Sequence, residues 1–176
     1  MPQYNNVYEV PPLSRLQIRR IAKNVRSIFN ITTPMLPVVD LLEVLHQFGI
    51  NTDIVDNLTW VKQFGINKYA EYNLMSQIIS IKESVYNRAV LGIGRDRFTI
   101  AHEIAHALLL DGSSVKVSRS SSGSSQKCYY DPEWQADCLA GELLIPYEHC
   151  KNMTVEEIMH ICGVSRQAAL TQMSKF

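Results

Sequence analysis

Residues 98–110 read Phe98-Thr99-Ile100-Ala101-His102-Glu103-Ile104-Ala105-His106-Ala107-Leu108-Leu109-Leu110. The only polar side chains in this run are Thr99, His102, Glu103 and His106, and the apolar ones point in nearly every direction around a helix. A helix that is apolar all round is a buried one, so this stretch, extended back to about Asp96, is expected at the centre of the domain. His102 and His106 stand four residues apart and share one face. Both imidazoles can then reach one metal ion, with Glu103 beside them and in reach of a water on that ion. Two imidazoles and a carboxylate without partners would be costly to bury there, and a divalent cation in a cleft removes the cost.

A catalytic zinc needs a third protein ligand and an open fourth position. Glu133 is the favoured candidate, because it begins a helix 27 residues after His106. Asp137 follows one turn later on the same face, where a carboxylate can accept the free ring N–H of a ligand histidine. Asp131, Asp137 itself, Glu142 and His149 remain competitors for the third position. Glu133 also reads simply as an acid that favours a helix N-terminus.

Arg97-Phe98-Thr99-Ile100-Ala101-His102-Glu103-Ile104-Ala105-His106, followed by Glu133-Trp134-Gln135-Ala136-Asp137 and Leu143-Leu144-Ile145-Pro146, resembles the ImmA/IrrE family of metallopeptidases over about residues 77–146. The resemblance implies a zincin-like fold in which His102, His106 and Glu133 bind Zn2+ and Glu103 activates water. It further implies a zinc-dependent endopeptidase that makes limited cuts in a helix-turn-helix transcriptional repressor or antitoxin, in a stress response or in the regulation of a prophage or other mobile element. Leu139 stands where the family usually has Phe, and Asp111 where many members place a further histidine. Neither departure touches an assigned ligand. The alternative function is a regulatory protein that binds such a partner with little or no cleavage, and a third reading is a DNA-binding regulator.

The rest of the chain frames this site. It has 176 residues, 17 Lys plus Arg against 17 Asp plus Glu, and 46% hydrophobic residues, with a mean hydropathy of −0.07. Such a chain buries roughly 70% of its unfolded surface and needs no disulfides to build a core. Zero net charge argues against a protein built on phosphate neutralisation, so direct DNA binding is not expected. No run approaches 18 apolar residues, and Met1–Val10 lacks a secretory pattern, so no membrane partner is expected and the location is read as cytoplasmic. Cys128, Cys138, Cys150 and Cys162 form no C-x-x-C pair and are read as reduced structural thiols.

The expected class is α+β, with helices packed on a small sheet. Helices are expected over residues 13–30 and over Val38–Phe48 behind Pro37, with Gly49 as a stop. The basic stripe Arg15, Arg19, Lys23 and Arg26 of the first helix is read as a solvated face. Strands are expected over Ile50–Val55 and Gln77–Lys82, the latter as an edge strand that could hold an extended substrate. Residues 112–127, eight of them Ser, are read as a mobile loop that could contact substrate. Asp131-Pro132 caps the second-motif helix, which stops before Pro146. Residues 1–150 form the peptidase domain in this reading. Residues 151–176 form a helical hairpin that resembles a helix-turn-helix and packs on it, with Thr154 and Glu157 as a capping box, Gly163 at the turn and Ser165 as a second cap. Arg95 and Arg97 could orient substrate, but a contact to a nearby carboxylate is the favoured reading. Tyr129 and Tyr130 are read as packing residues before possible donors to a tetrahedral intermediate.

Overall fold

The computed structural model describes residues 8–110, 116–117 and 128–176. The Ser-rich segment 112–127, Lys116–Val117 apart, and Asp111 lie outside the described residues. Among those described, nine helices pack on and around a three-stranded sheet, the α+β class expected from the sequence.

The central element is the helix α5, Gly94–Leu109, in which Ile100, Ala101, Ile104 and Ala105 are fully buried. The helix α6, Pro132–Leu144, lies against it and is itself buried along Ala136, Leu139, Ala140, Leu143 and Leu144. Pro132 sits at its first turn, where a missing N–H costs nothing, and the Asp131 carboxylate accepts the Glu133 N–H at 3.0 Å. His102 meets Asp137 while both histidines meet Glu133, so α5 and α6 run antiparallel.

The helix α1, Arg15–Ile28, opens with a Ser14/Gln17 capping box and buries Ile18, Ala22 and Val25. Of its basic stripe only Lys23 is solvated. Arg15 stacks over Trp134 at 5.5 Å, and Arg19 grips the buried Glu142 with two bonds of 2.9 and 3.0 Å. Arg26 is itself buried and donates to the carbonyls of Leu143, Thr33 and Pro34. Helical spacing assigns cations to one face but not what that face meets. Here it meets α6, whose C-terminal carbonyls and buried acid need donors.

The expected second helix is α2, Val38–Val44, which tightens into a 3-10 turn over Leu45–Phe48 and ends at Gly49 in the left-handed region. The sheet follows, with β2 Asn51–Val55, β3 Ala70–Asn73 and β4 Ile78–Lys82 in the order β2-β4-β3. β2 runs parallel to β4 and β3 antiparallel to it. The strand over Gln77–Lys82 is therefore central, not an edge. Its Ile79 and Ile81 are fully buried, which its neighbours on both sides make possible. β3 is the edge on the active side, joined to β4 by a turn in which the Asn73 carboxamide accepts from Met75 N–H and Ser76 N–H. Two short helices interrupt the region, α3 Asn57–Phe64 and α4 Glu83–Val90. The fully buried Trp60 of α3 donates to the Lys68 carbonyl at 2.8 Å and so anchors the approach to β3. Outside the sheet, β1 Tyr8–Glu9 pairs antiparallel with β5 Lys116–Val117.

The chain ends in α7 Tyr147–Cys150, α8 Val155–Cys162 and α9 Arg166–Met173. The Thr154/Glu157 capping box, the left-handed Gly163 and the Ser165 cap all form. Arg97 is buried and donates to the carbonyls of Leu36, Cys162 and Gly163. Its partners are backbone oxygens, not the carboxylate expected for it; the nearby carboxylate, Asp96, is taken by Arg88 at 2.7 and 2.9 Å. All four cysteines are free.

Gly94 shows how closely α5 meets the turn between α8 and α9. A Cβ built there would lie 2.6 Å from Ser165 N and 2.7 Å from Val164 C, both backbone atoms that cannot rotate away. Gly94→Ala is therefore expected to destabilise the fold by about 1–3 kcal/mol, the usual cost of overpacking. In a chain of this size that lowers Tm by roughly 3–10 °C. Thermal unfolding followed by circular dichroism reads the change, and an unshifted Tm would place the hairpin turn elsewhere.

Candidate metal centre

α5 and α6 bring three potential ligands to one point. His102 Nε2 lies 3.0 Å from His106 Nε2 and 3.2 Å from Glu133 Oε2, and His106 Nε2 lies 3.4 Å from Glu133 Oε1. Two imidazole nitrogens facing each other at 3.0 Å cannot both carry protons, and their converging lone pairs are what a cation satisfies. Bonds of about 2.0–2.1 Å around a tetrahedral ion put ligand atoms about 3.3 Å apart. The spacing in this cluster matches that edge, and the donor set of two imidazoles and a carboxylate suits a zinc-type ion. Among the described residues, this is the one group of three or more such side chains that could hold a metal ion.

The surroundings shape each group. Asp137 Oδ1 lies 2.9 Å from His102 Nδ1, so the ring donates on that side, an orientation that makes Nε2 the nitrogen available to a metal. Burial pulls the His102 imidazole down, but its hydrogen bonds to Asp137 and Glu133 outweigh this and raise it to about 10. The hydrogen bonds to His102 and His106 hold the Glu133 carboxyl well below its usual range. Burial pushes the Glu103 carboxyl up, against the nearby imidazoles and a backbone hydrogen bond. That bond comes from Tyr72 N–H of β3, which donates to Glu103 Oε2 at 2.7 Å.

A cavity of about 250 Å3 opens over the cluster, lined by Tyr72, Glu103, His102, His106 and Glu133, with the Lys68–Glu71 ion pair at its side. The sequence reading missed the contribution of residues 68–73. Their side chains show no motif, and they reach the site only because β3 registers with β4 and lies along α5.

The competitors for the third ligand are all accounted for. Asp131 caps α6, Glu142 is held by Arg19, Asp137 serves His102, and the exposed His149 lines a separate cavity beside α1. Neither Tyr129 nor Tyr130 is among the described residues that line the cavity over the cluster. Arg95 lies over the Tyr69 ring at 5.3 Å, two helical turns from His102.

The family model for the IrrE N-terminal-like domain, Peptidase_M78, matches residues 81–174. This is more than half of the chain, and the chain belongs to this metallopeptidase family. The match runs from the end of β4 through both motifs to α9. The family implies a metal, for which His102, His106 and Glu133 form a suitable cluster. No curated protein matches the chain. Among the described residues no helix is long and apolar enough to cross a membrane.

Proposed function

We propose that this member of the IrrE N-terminal-like peptidase family is a zinc endopeptidase that makes limited cuts in a helix-turn-helix transcriptional repressor or antitoxin. The observation that carries the reading is the spacing of His102, His106 and Glu133 at a tetrahedral edge with Glu103 one residue from the first ligand. Bound at these three residues, zinc would polarise the scissile carbonyl and acidify a water.

The chain's own groups supply the rest. Glu103 takes the water proton and returns it to the departing amine. Tyr72 N–H holds Glu103 Oε2, which leaves Oε1 for the proton. Asp137 fixes the orientation and tautomer of His102. β3, the edge strand beside the cavity, is placed to take an extended substrate segment by strand addition, the role first assigned to Gln77–Lys82. Nucleic acid has no part in this reading, because Arg166 of α9 is paired with Glu156 at 2.7 Å and three of the four stripe cations of α1 are spent on α6 and its neighbours.

The test uses the zinc-loaded full chain and any helix-turn-helix repressor found to be encoded beside its gene. Cleavage at one or a few sites is expected, with casein cut poorly, since remote contacts are needed to place the carbonyl over the metal. A repressor that binds tightly to the zinc-loaded chain yet stays intact across about pH 6–8 would replace this reading with that of a binding regulator.

A further inference from the structure

A second cavity, of about 380 Å3, lies on the same two helices beside the His102–Asp137 pair, walled by Arg95 and Phe98 of α5, Asp137 and Gly141 of α6, and Gln172 and Lys175. The hydrolysis described above makes no use of it. Arg95 precedes His102 by seven residues, about 10 Å along a helix. An extended peptide covers that distance in about three residues.

The chemistry of the walls is one-sided. Phe98 gives an apolar surface, and Gly141 lacks the Cβ that would crowd Gln172. Arg95 and Lys175 are accessible, and neither has a carboxylate partner among the described residues. Asp137 is the single acid of the lining, and it is engaged by His102. Gln172 is only 2% exposed, and its Nε2 has no hydrogen-bond acceptor. A buried amide donor without an acceptor is a group that a ligand oxygen can satisfy. Two cations without carboxylate partners, Arg95 resting on the Tyr69 ring, and an unsatisfied donor above an apolar wall suit a carboxylate on a short methylene stem.

We propose that this cavity is a specificity subsite that takes an acidic side chain of the partner protein, about three residues from the bond cut. Arg95 and Lys175 receive the carboxylate, Gln172 supplies a further donor, and Phe98 packs on the stem. The position relative to the cut rests on the peptidase reading, and the preference for an acid does not.

The test therefore separates binding from cleavage. Immobilised zinc-loaded Glu103→Gln protein is exposed to a proteome-derived peptide library, and the retained peptides are sequenced. Retained peptides are expected to be enriched in Asp and Glu by about fivefold, the scale of two partly solvated ion pairs, and the enrichment should fade with salt. Adding Arg95→Glu and Lys175→Glu should shift the enrichment to Lys and Arg. Arg95→Gln and Lys175→Gln, which should simply abolish it, serve if the reversed charges disturb the fold. Cleavage of the same library by the unaltered chain should place the acid about three residues from the cut. Cleavage without any acid preference overturns the subsite and leaves the peptidase intact. Acid-selective capture that responds to the variants supports the cavity whether or not the library is cut, and the peptidase reading stands or falls on the repressor test above. Capture indifferent to the four substitutions overturns the subsite whether or not cleavage occurs.

Discussion

Glu103→Gln is expected to lower cleavage of the proposed repressor substrate by about 10²–10⁴-fold, the range for loss of a positioned general base, while bound metal and fold stay as they are. The glutamine amide oxygen can still accept the Tyr72 N–H that now meets Glu103 Oε2 at 2.7 Å. Its side chain has the same length, so β3 keeps its anchor on α5. What it cannot do is take a proton. Single-turnover cleavage followed by mass spectrometry, with metal content measured on the same sample, reads both halves of the expectation. Unchanged cleavage would remove Glu103 from the chemistry, and lost metal would make it a ligand.

The second large effect concerns the metal itself. His106→Ala takes away one of three converging candidate ligands and leaves His102 and Glu133, whose atoms lie 3.2 Å apart, too few to close the proposed site. Removing an outer carboxylate that only orients a ligand costs about 10–100-fold in metal affinity, so removing the ligand itself should cost more than about a hundredfold. Competition with a chelator of known affinity measures the loss, and circular dichroism checks that α5 still forms. A variant that keeps one full equivalent of metal would mean that the ion sits elsewhere.

Much of this site was legible because it lies on two helices that each carry a local signal. The i, i+4 spacing places His102 and His106 on one face whatever the surroundings, and Asp131-Pro132 marks where α6 begins. The choice of Glu133 over Asp131, Glu142 and His149 was not local. It depends on α5 and α6 being antiparallel, which only the contacts between them reveal. Tyr72 and the Lys68–Glu71 pair were invisible for the same reason, since strand register and not residue type brings them to Glu103.

The misplaced edge strand has a related cause. Ile78–Lys82 alternates between half-buried and buried side chains, a pattern that suits an edge or a centre, while Ala70–Asn73 carries too little apolar character to be read as a strand. α3 buries a single side chain, Trp60, and α4 only Val85 and Ala89, so neither shows a helical stripe strong enough to stand out. The arginines failed in another way. Arg19 and Arg26 were read as solvated cations and Arg97 as the partner of a nearby carboxylate, and they instead bind a buried acid and backbone carbonyls, partners that exist only after the helices have packed.

The ligand assignment meets its most direct test in X-ray diffraction from zinc-loaded crystals at wavelengths on either side of the zinc absorption edge. The account predicts one anomalous peak per chain, about 2.0–2.2 Å from His102 Nε2, His106 Nε2 and a Glu133 carboxylate oxygen, with Glu103 and Asp137 outside bonding distance. A peak at another place, or one bonded to Asp137 or Glu103 in place of Glu133, would contradict it.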